Sequence, residues 1–166
     1  MPDPTLQPKH IRDSIITLSQ MMRLEDANLH GNVHGGIIMK LVDEAGALTC
    51  MRHAQRPVVT VAMDNMSFRH PIQIGDLVTL TSRLTYVGRS SMEVRVEVEA
   101  ENPLTGIRVH TNTAHLVYVA LDSTGRPAPV PALQLETPEE QRDFEEAEAR
   151  QGQRRAQRPA ASGTPE

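Results

Sequence analysis

The densest run of reactive groups in the sequence is Asp26-Ala27-Asn28-Leu29-His30-Gly31-Asn32-Val33-His34-Gly35-Gly36. It is richer in polar residues and glycines than a plain loop requires. A helix that starts at the Gly35-Gly36 pair presents backbone N–H groups with no intrahelical partner, and glycine lets a ligand approach them. The helix dipole adds partial positive charge at that end. Such donors can polarise a carbonyl and stabilise a developing oxyanion. A glycine-rich helix start with no ligand is the competing reading, and on this segment alone the two stand level. Asp43 lies seven residues after Gly36, two turns on, and so roughly on the same helix face. A carboxylate in an apolar helix is costly unless it faces a cavity, an interface or a partner. Asp43 is therefore a candidate base; the alternatives are an Asp paired to an Arg at an interface, or Glu44 in its place. Arg89-Ser90-Ser91, after Gly88, offers one cation and two hydroxyls near exposed backbone, which suits a phosphate. Read alone, those residues fit a polar hairpin turn better.

Other chemistries are set aside by inspection. There is no Gly-x-Ser-x-Gly nucleophile elbow, no phosphate-cradling Gly-x4-Gly-Lys-Ser/Thr loop and no Gly-x-Gly-x-x-Gly. Cys50 sits late in an apolar helix and reads as a small buried side chain. His30 and His34 are four apart, with His53 further on, but the glycines around them make the segment a loop. No carboxylate completes a ligand set, so no metal is expected.

The elements that must position these groups follow from periodicity. Residues 14–22 read as a first strand and 23–32 as a loop. Ile37, Leu41, Ala45 and Leu48 recur at helical spacing from Gly35 to about His53, with Ile38 and Val42 beside them. Such an apolar helix is expected to be largely buried, its five large aliphatics contributing roughly 1.5–3 kcal/mol each. Strands are expected at 58–68, 77–87, 91–101 and 107–121. In the second, Val78, Leu80, Leu84 and Tyr86 are placed on one face. In the third, Met92, Val94, Val96, Val98 and Ala100 face one way and Glu93, Arg95, Glu97, Glu99 and Glu101 the other, a strand with one buried and one wet face. Short turns imply antiparallel pairing. The class is α+β, one helix packed on a curved antiparallel sheet whose edges call for partners.

The chain has 166 residues, 39% hydrophobic, with a net charge of −4. The balance is uneven: residues 131–166 hold 8 acidic and 5 basic residues and only nine of the hydrophobic set. That stretch is expected to be a charged, mostly disordered tail (132–166), with a solvated helix from Glu139 to Arg150, Glu146 and Arg150 at i,i+4 spacing, as the competing reading. Residues 1–10, with Pro2, Pro4 and Pro8, are expected to be a flexible arm, and the two flank a single domain at 11–131. Four aromatic side chains, Phe68, Tyr86, Tyr118 and Phe144, and a mild acidity exclude a base-stacking nucleic-acid platform. No run of 18 apolar residues suggests membrane insertion. The N-terminus lacks an apolar export core, and with one cysteine a cytoplasmic location is expected.

Taken together in their order and spacing, these segments resemble the hotdog-fold acyl-CoA thioesterases (acyl-CoA hydrolases). The matching pieces are Asp26-Ala27-Asn28, Gly31 to Gly36, Lys40-Leu41-Val42-Asp43-Glu44-Ala45-Gly46-Ala47, Arg52-His53, Val58 to Asp64, Phe68-Arg69-His70-Pro71, Gly75-Asp76, Val87 to Val94 and Asn102 to Gly106. They span roughly residues 12–131. The resemblance implies a hotdog fold, an antiparallel sheet wrapped around a long central helix, and hydrolysis of acyl-CoA without a cofactor. It assigns catalysis to Asn28 and Asp43, expected from different subunits, with Asp43 as general base or nucleophile. It implies carbonyl polarisation by the Gly36 N–H, with His34 and Gly35 in the same turn, and CoA contacts from Thr60, Arg89, Ser90 and Ser91. Phe68 and Met66 are expected in the core rather than in an acyl pocket. A homodimer is required, and tetramers or hexamers are expected above it. A non-catalytic acyl-CoA binding module on the same fold is the rival reading.

Overall fold

In the computed structural model, which describes residues 6–64 and 66–157, the chain builds one long helix against one curled sheet. Helix α1 (Gly35–Ala54) starts at His34, whose extended backbone and side chain cap it, and stops at Gln55. Gln55 takes a left-handed conformation (φ 52°), and its N–H donates to Met51 O. The strands are β2 (Ile16–Met21), β3 (Val58–Met63), β4 (Leu77–Val87), β5 (Ser91–Glu101) and β6 (Arg108–Ala120). They form an antiparallel sheet in the order β2-β4-β5-β6-β3. This is the α+β hotdog arrangement, with α1 packed along the concave face. Ile38, Leu41, Val42 and Ala45 of α1 meet Leu80, Val94, Val96 and Leu116 in the core. Cys50 is buried there and free. No described helix is long and apolar enough to cross a membrane.

Several expectations are corrected. Strand β3 ends at Met63 rather than at 68, because the polar stretch from Asp64 leaves the sheet. In β4 the register shifts between Leu84 and Tyr86. One extra residue reverses the faces that follow. Val87 takes the inner face, and Tyr86 turns outward onto Phe144, ring centroids 5.1 Å apart. Leu48, expected in the core, is 39% exposed, and so are Met39 and Met51 to a similar degree. Helix α1 therefore keeps large apolar side chains part-uncovered along its solvent side.

The largest correction is at the C-terminus. The region expected to be mostly disordered carries helix α2 (Pro138–Gln157), which lies on the outer face of the sheet. Thr137 Oγ1 accepts from Glu140 N and Glu140 Oε2 accepts from Thr137 N, a capping box with Pro138 at the first helical position. The helix is held by Phe144 against Tyr86, by the buried Ala147 and, for the most part, by charge. Arg83 and Arg95 both donate to Asp143, and Arg150 and Arg154 reach Glu93. Glu93, expected on a wet face, is fully buried beneath them. The N-terminal arm is tied down as well. Strand β1 (Lys9–His10) pairs in parallel with β7 (Leu133–Gln134), and Lys9 Nζ donates to His53 O. Residues 1–5 and 158–166, parts of the expected arm and tail, lie outside the described residues.

His53 fastens the far end of α1. It is buried, its Nε2 donates to Pro131 O (2.9 Å), and Ser14 Oγ lies 3.5 Å from Nδ1. Burial holds its pKa below the usual histidine value. The unfolded chain therefore binds the proton more readily. The stability this neutral ring contributes is complete above about pH 6.5 and is lost as pH falls from there toward the lowered folded value. His115, lowered by burial and by Arg150, acts in the same direction. The melting temperature is thus expected to fall between pH 7.5 and 5, with a shallower slope in His53→Gln; equal slopes would refute the assignment to His53.

Candidate active site

Asp43 sits midway along α1, half-buried, with the exposed Met39, Leu48 and Met51 on either side of it in the helix. Its Oδ1 accepts two hydrogen bonds, from Thr60 Oγ1 at 2.8 Å and from Tyr118 Oη at 2.9 Å. Tyr118 Oη is also 2.9 Å from the Asp43 carbonyl. Thr60 and Tyr118 are cross-strand partners on β3 and β6. A bulge follows Thr60, where the register shifts before Ala62. Burial and the neighbouring Asp43 push the Tyr118 phenol well above its usual pKa. Among the described residues no donor is placed on Oδ2.

Thr60 was expected among the CoA contacts; the structure sets it on the Asp43 carboxylate. Tyr118 and Gly46 were not expected at the site at all. A Cβ on Gly46 would lie 2.5 Å from Tyr118 Oη, so this helical glycine admits the phenol. Two local features pointed this way. Glycine in a helix interior costs about 1 kcal/mol relative to alanine, so its presence suggests a close approach. A tyrosine on a core-facing strand position must find a partner for its hydroxyl.

The Asn28 segment folds over the start of α1. Asn28 Oδ1 accepts from His30 N and Asn32 N, at 2.8 and 3.2 Å, and His34 N donates to Asp26 O. With Oδ1 so engaged, the amide NH₂ of Asn28 is the group left to donate outward. Asn28 borders a groove of about 380 Å³ that Val33, Gly35, Ile38, Phe68 and Ile72 also line. Phe68, expected in the core, is 46% exposed in this wall, and a Cβ on Gly35 would touch its ring at 3.3 Å. The glycine thus receives Phe68 rather than open solvent. Met66 packs against the core as expected.

The Gly36 N–H, expected to face a carbonyl, donates instead to His34 Nδ1 at 2.9 Å. The reason is general: an N-cap side chain satisfies one of the helix's orphan donors. The groove and Asp43 do not meet within one chain. Asp43 is eight residues past Gly35, about 12 Å along the helix axis. Arg89, Ser90 and Ser91 form the β4–β5 turn, where Ala120 N donates to Ser90 O and Val130 N to Arg89 O. The turn is thereby pinned by backbone, and the Arg89 side chain is exposed. Ser91 neighbours Val119 across the ladder and Met92 neighbours Tyr118. The turn is thus two strands from Thr60, on the order of 10 Å. Among the described residues no cluster of three metal-ligating side chains occurs.

The chain is similar to known proteins over this whole region. A family model described as the thioesterase superfamily matches residues 30–107. An uncharacterised acyl-CoA thioester hydrolase of Bacillus subtilis is 44% identical over 69% of this chain and 67% of its own length. The cytosolic acyl coenzyme A thioester hydrolase of Rattus norvegicus is 35% identical over 92% of this chain, which spans only 40% of that relative. Among solved structures, an acyl-CoA hydrolase from Staphylococcus aureus, in complex with butyryl coenzyme A, coenzyme A and coenzyme A disulfide, is 32% identical. It superposes with a TM-score of 0.81 over 89% of this chain and 90% of its own. A hexameric apo acyl-CoA thioesterase is 37% identical with a TM-score of 0.86, covering 91% and 97% of the two chains.

Proposed function

The chain belongs to the acyl-CoA thioester hydrolases of the thioesterase superfamily, and from that premise we propose that it hydrolyses acyl-CoA to a free carboxylic acid and CoA at an interface between two copies. The observation that carries this reading is the Asp43 carboxylate. One of its oxygens is held by Thr60 and Tyr118, and the other carries no donor among the described residues. That free oxygen takes a proton from water. The hydroxide adds to the thioester carbonyl carbon, the C–S bond breaks, and the proton held by Asp43 goes to the departing sulfur. Direct attack by the same oxygen, giving an anhydride that water then cleaves, uses the same geometry.

The second copy supplies what one chain separates. Strand β3 is a sheet edge with Val59 and Val61 exposed, and α1 leaves Met39, Leu48 and Met51 part-exposed. Pairing along this face brings the Asn28 groove of one protomer toward Asp43 of its partner. Asn28 Nδ2 then orients the water or the carbonyl, the groove takes the acyl chain, and the exposed Arg89 with Ser90 and Ser91 meets CoA phosphates. For the Gly36 N–H to polarise the carbonyl, His34 must release it. The hexamer seen in a relative is the natural higher assembly. A cytoplasmic location accords with the cytosolic rat relative and with a single buried thiol.

The test is release of CoA, followed with a thiol reagent, across acyl chains from acetyl to palmitoyl. Turnover on at least one chain length is expected. Tight binding with no release across the series would leave the binding-module reading in its place.

A further inference from the structure

Resting on Asp43 as the reacting carboxylate, we propose that Tyr118 is a positioning residue for it: from inside the core its hydroxyl holds Asp43 Oδ1 and thereby presents Oδ2 for reaction, with Gly46 as the notch that admits the ring. The phenol has one proton and lies 2.9 Å from both the Asp43 carbonyl and Oδ1. Sharing that proton ties the Asp43 side chain to its own backbone, and both torsions of the side chain are set. Thr60 adds a second bond to the same oxygen. The two donors differ in solvent exposure. Thr60 is exposed, and water competes for its bond; Tyr118 is fully buried, and water does not. Tyr118 is therefore the more persistent constraint.

The direction of proton sharing is also set. Burial and Asp43 keep the phenol protonated through the whole physiological range. Tyr118 donates and does not shuttle protons, which makes it a group that orients rather than one that reacts. Gly46 follows Asp43 by three residues, on the same helix face. Its missing Cβ is what lets the phenol oxygen stand there, because a methyl at that point would overlap Oη. The other charged or titratable groups near Asp43 are few. Lys40 and Glu44 on its own helix pair with each other at 3.7 Å. Cys50 acts on Tyr118 from the core, and β3 brings only the Thr60 hydroxyl.

The test compares wild type, Tyr118→Phe, Gly46→Ala and Asp43→Ala in the CoA-release assay, with kcat, KM and melting temperature measured for each. Tyr118→Phe removes one oxygen and keeps the ring. It is expected to lower kcat by roughly 10- to 100-fold with KM little changed, as a misplaced catalytic group does. Gly46→Ala, which displaces the phenol by another route, should reproduce the loss in kcat with KM little changed. A Tyr118→Phe enzyme with unaltered kcat, beside an inactive Asp43→Ala, overturns the proposal alone. A loss in kcat with an equal rise in KM, matched by a lowered melting temperature, also overturns it, because that is the mark of a merely structural residue. Wild-type-like turnover in Asp43→Ala would instead overturn the assignment on which the proposal rests.

Discussion

Asp43→Ala is expected to lower kcat for acyl-CoA hydrolysis by about 10³-fold or more, the scale of a lost general base, while its melting temperature stays within a few degrees of wild type. The second half of that expectation follows from the hydrogen bonds around the carboxylate. Removing it takes one acceptor from Tyr118 and one from Thr60. Tyr118 retains the Asp43 main-chain carbonyl at 2.9 Å, which no side-chain substitution removes. Thr60 is exposed and turns to water. No buried donor is left unpaired, and the cost stays near 1 kcal/mol, the size of one ordinary hydrogen bond. Asp43→Asn sharpens the experiment. It retains an acceptor for both hydroxyls but cannot take a proton, so it should be as inactive as Asp43→Ala and at least as stable. Turnover and thermal unfolding, measured on the same preparations, check both halves.

The second large effect is on stability and lies on the opposite face of the sheet. Glu93 is fully buried, with Arg150 on Oε1 at 2.8 Å and Arg154 on Oε2 at 2.7 Å. Thr85 adds a bond to Oε1 at 3.0 Å, and Arg154 also bridges to Asp64 at 2.6 Å, beyond the end of β3. Arg150→Ala with Arg154→Ala leaves a carboxylate in the interior with no cation. Breaking a buried pair in this way costs about 3–5 kcal/mol, or roughly 10 °C in melting temperature for a domain of this size. The reverse change is milder. Both arginines retain about a quarter of their side-chain exposure, so after Glu93→Gln they can return to water. Adding Glu93→Gln to the double arginine variant should therefore recover most of the lost stability. Denaturant unfolding of the four proteins gives the cycle. A double arginine variant as stable as wild type would mean that α2 is not clasped through Glu93.

These two sites show where the sequence was legible and where it was not. The bounds of β4 and β5 were readable because alternation with period two is written in consecutive residues. Helix α1 was readable for the same reason at period 3.6, down to its first residue at Gly35. Asp43 stood out as a carboxylate in an apolar run, and Asn28 as part of a segment matching the family. Helix α2 was ranked below disorder because only a small part of its attachment is apolar, Phe144 against Tyr86 and the buried Ala147. The rest of the face that binds the sheet is Asp143, Arg150 and Arg154, and a charged stripe looks the same whether it faces water or a complementary stripe. The local signals of a helix there were the i,i+4 pair of Glu146 and Arg150 and the capping box at Thr137 and Glu140. Leu48 was misread in the opposite sense, because helical spacing alone does not say which part of a wide apolar face remains uncovered.

By itself the sequence determined helix α1 and the five strands of the main sheet, their order along the chain, the core-facing side of most of them and the family. Periodicity and turn chemistry are local properties, and a short window of residues carries them. The tertiary structure alone decided the partners. Tyr118 reaches Asp43 from 75 residues away, Arg154 reaches Glu93 from 61, and His34 closes onto the Gly36 N–H that was expected to stay open. A hydrogen bond or a buried ion pair depends on distances of a few tenths of an ångström between groups that only the packed sheet brings together. No periodicity encodes which residue will stand at that distance.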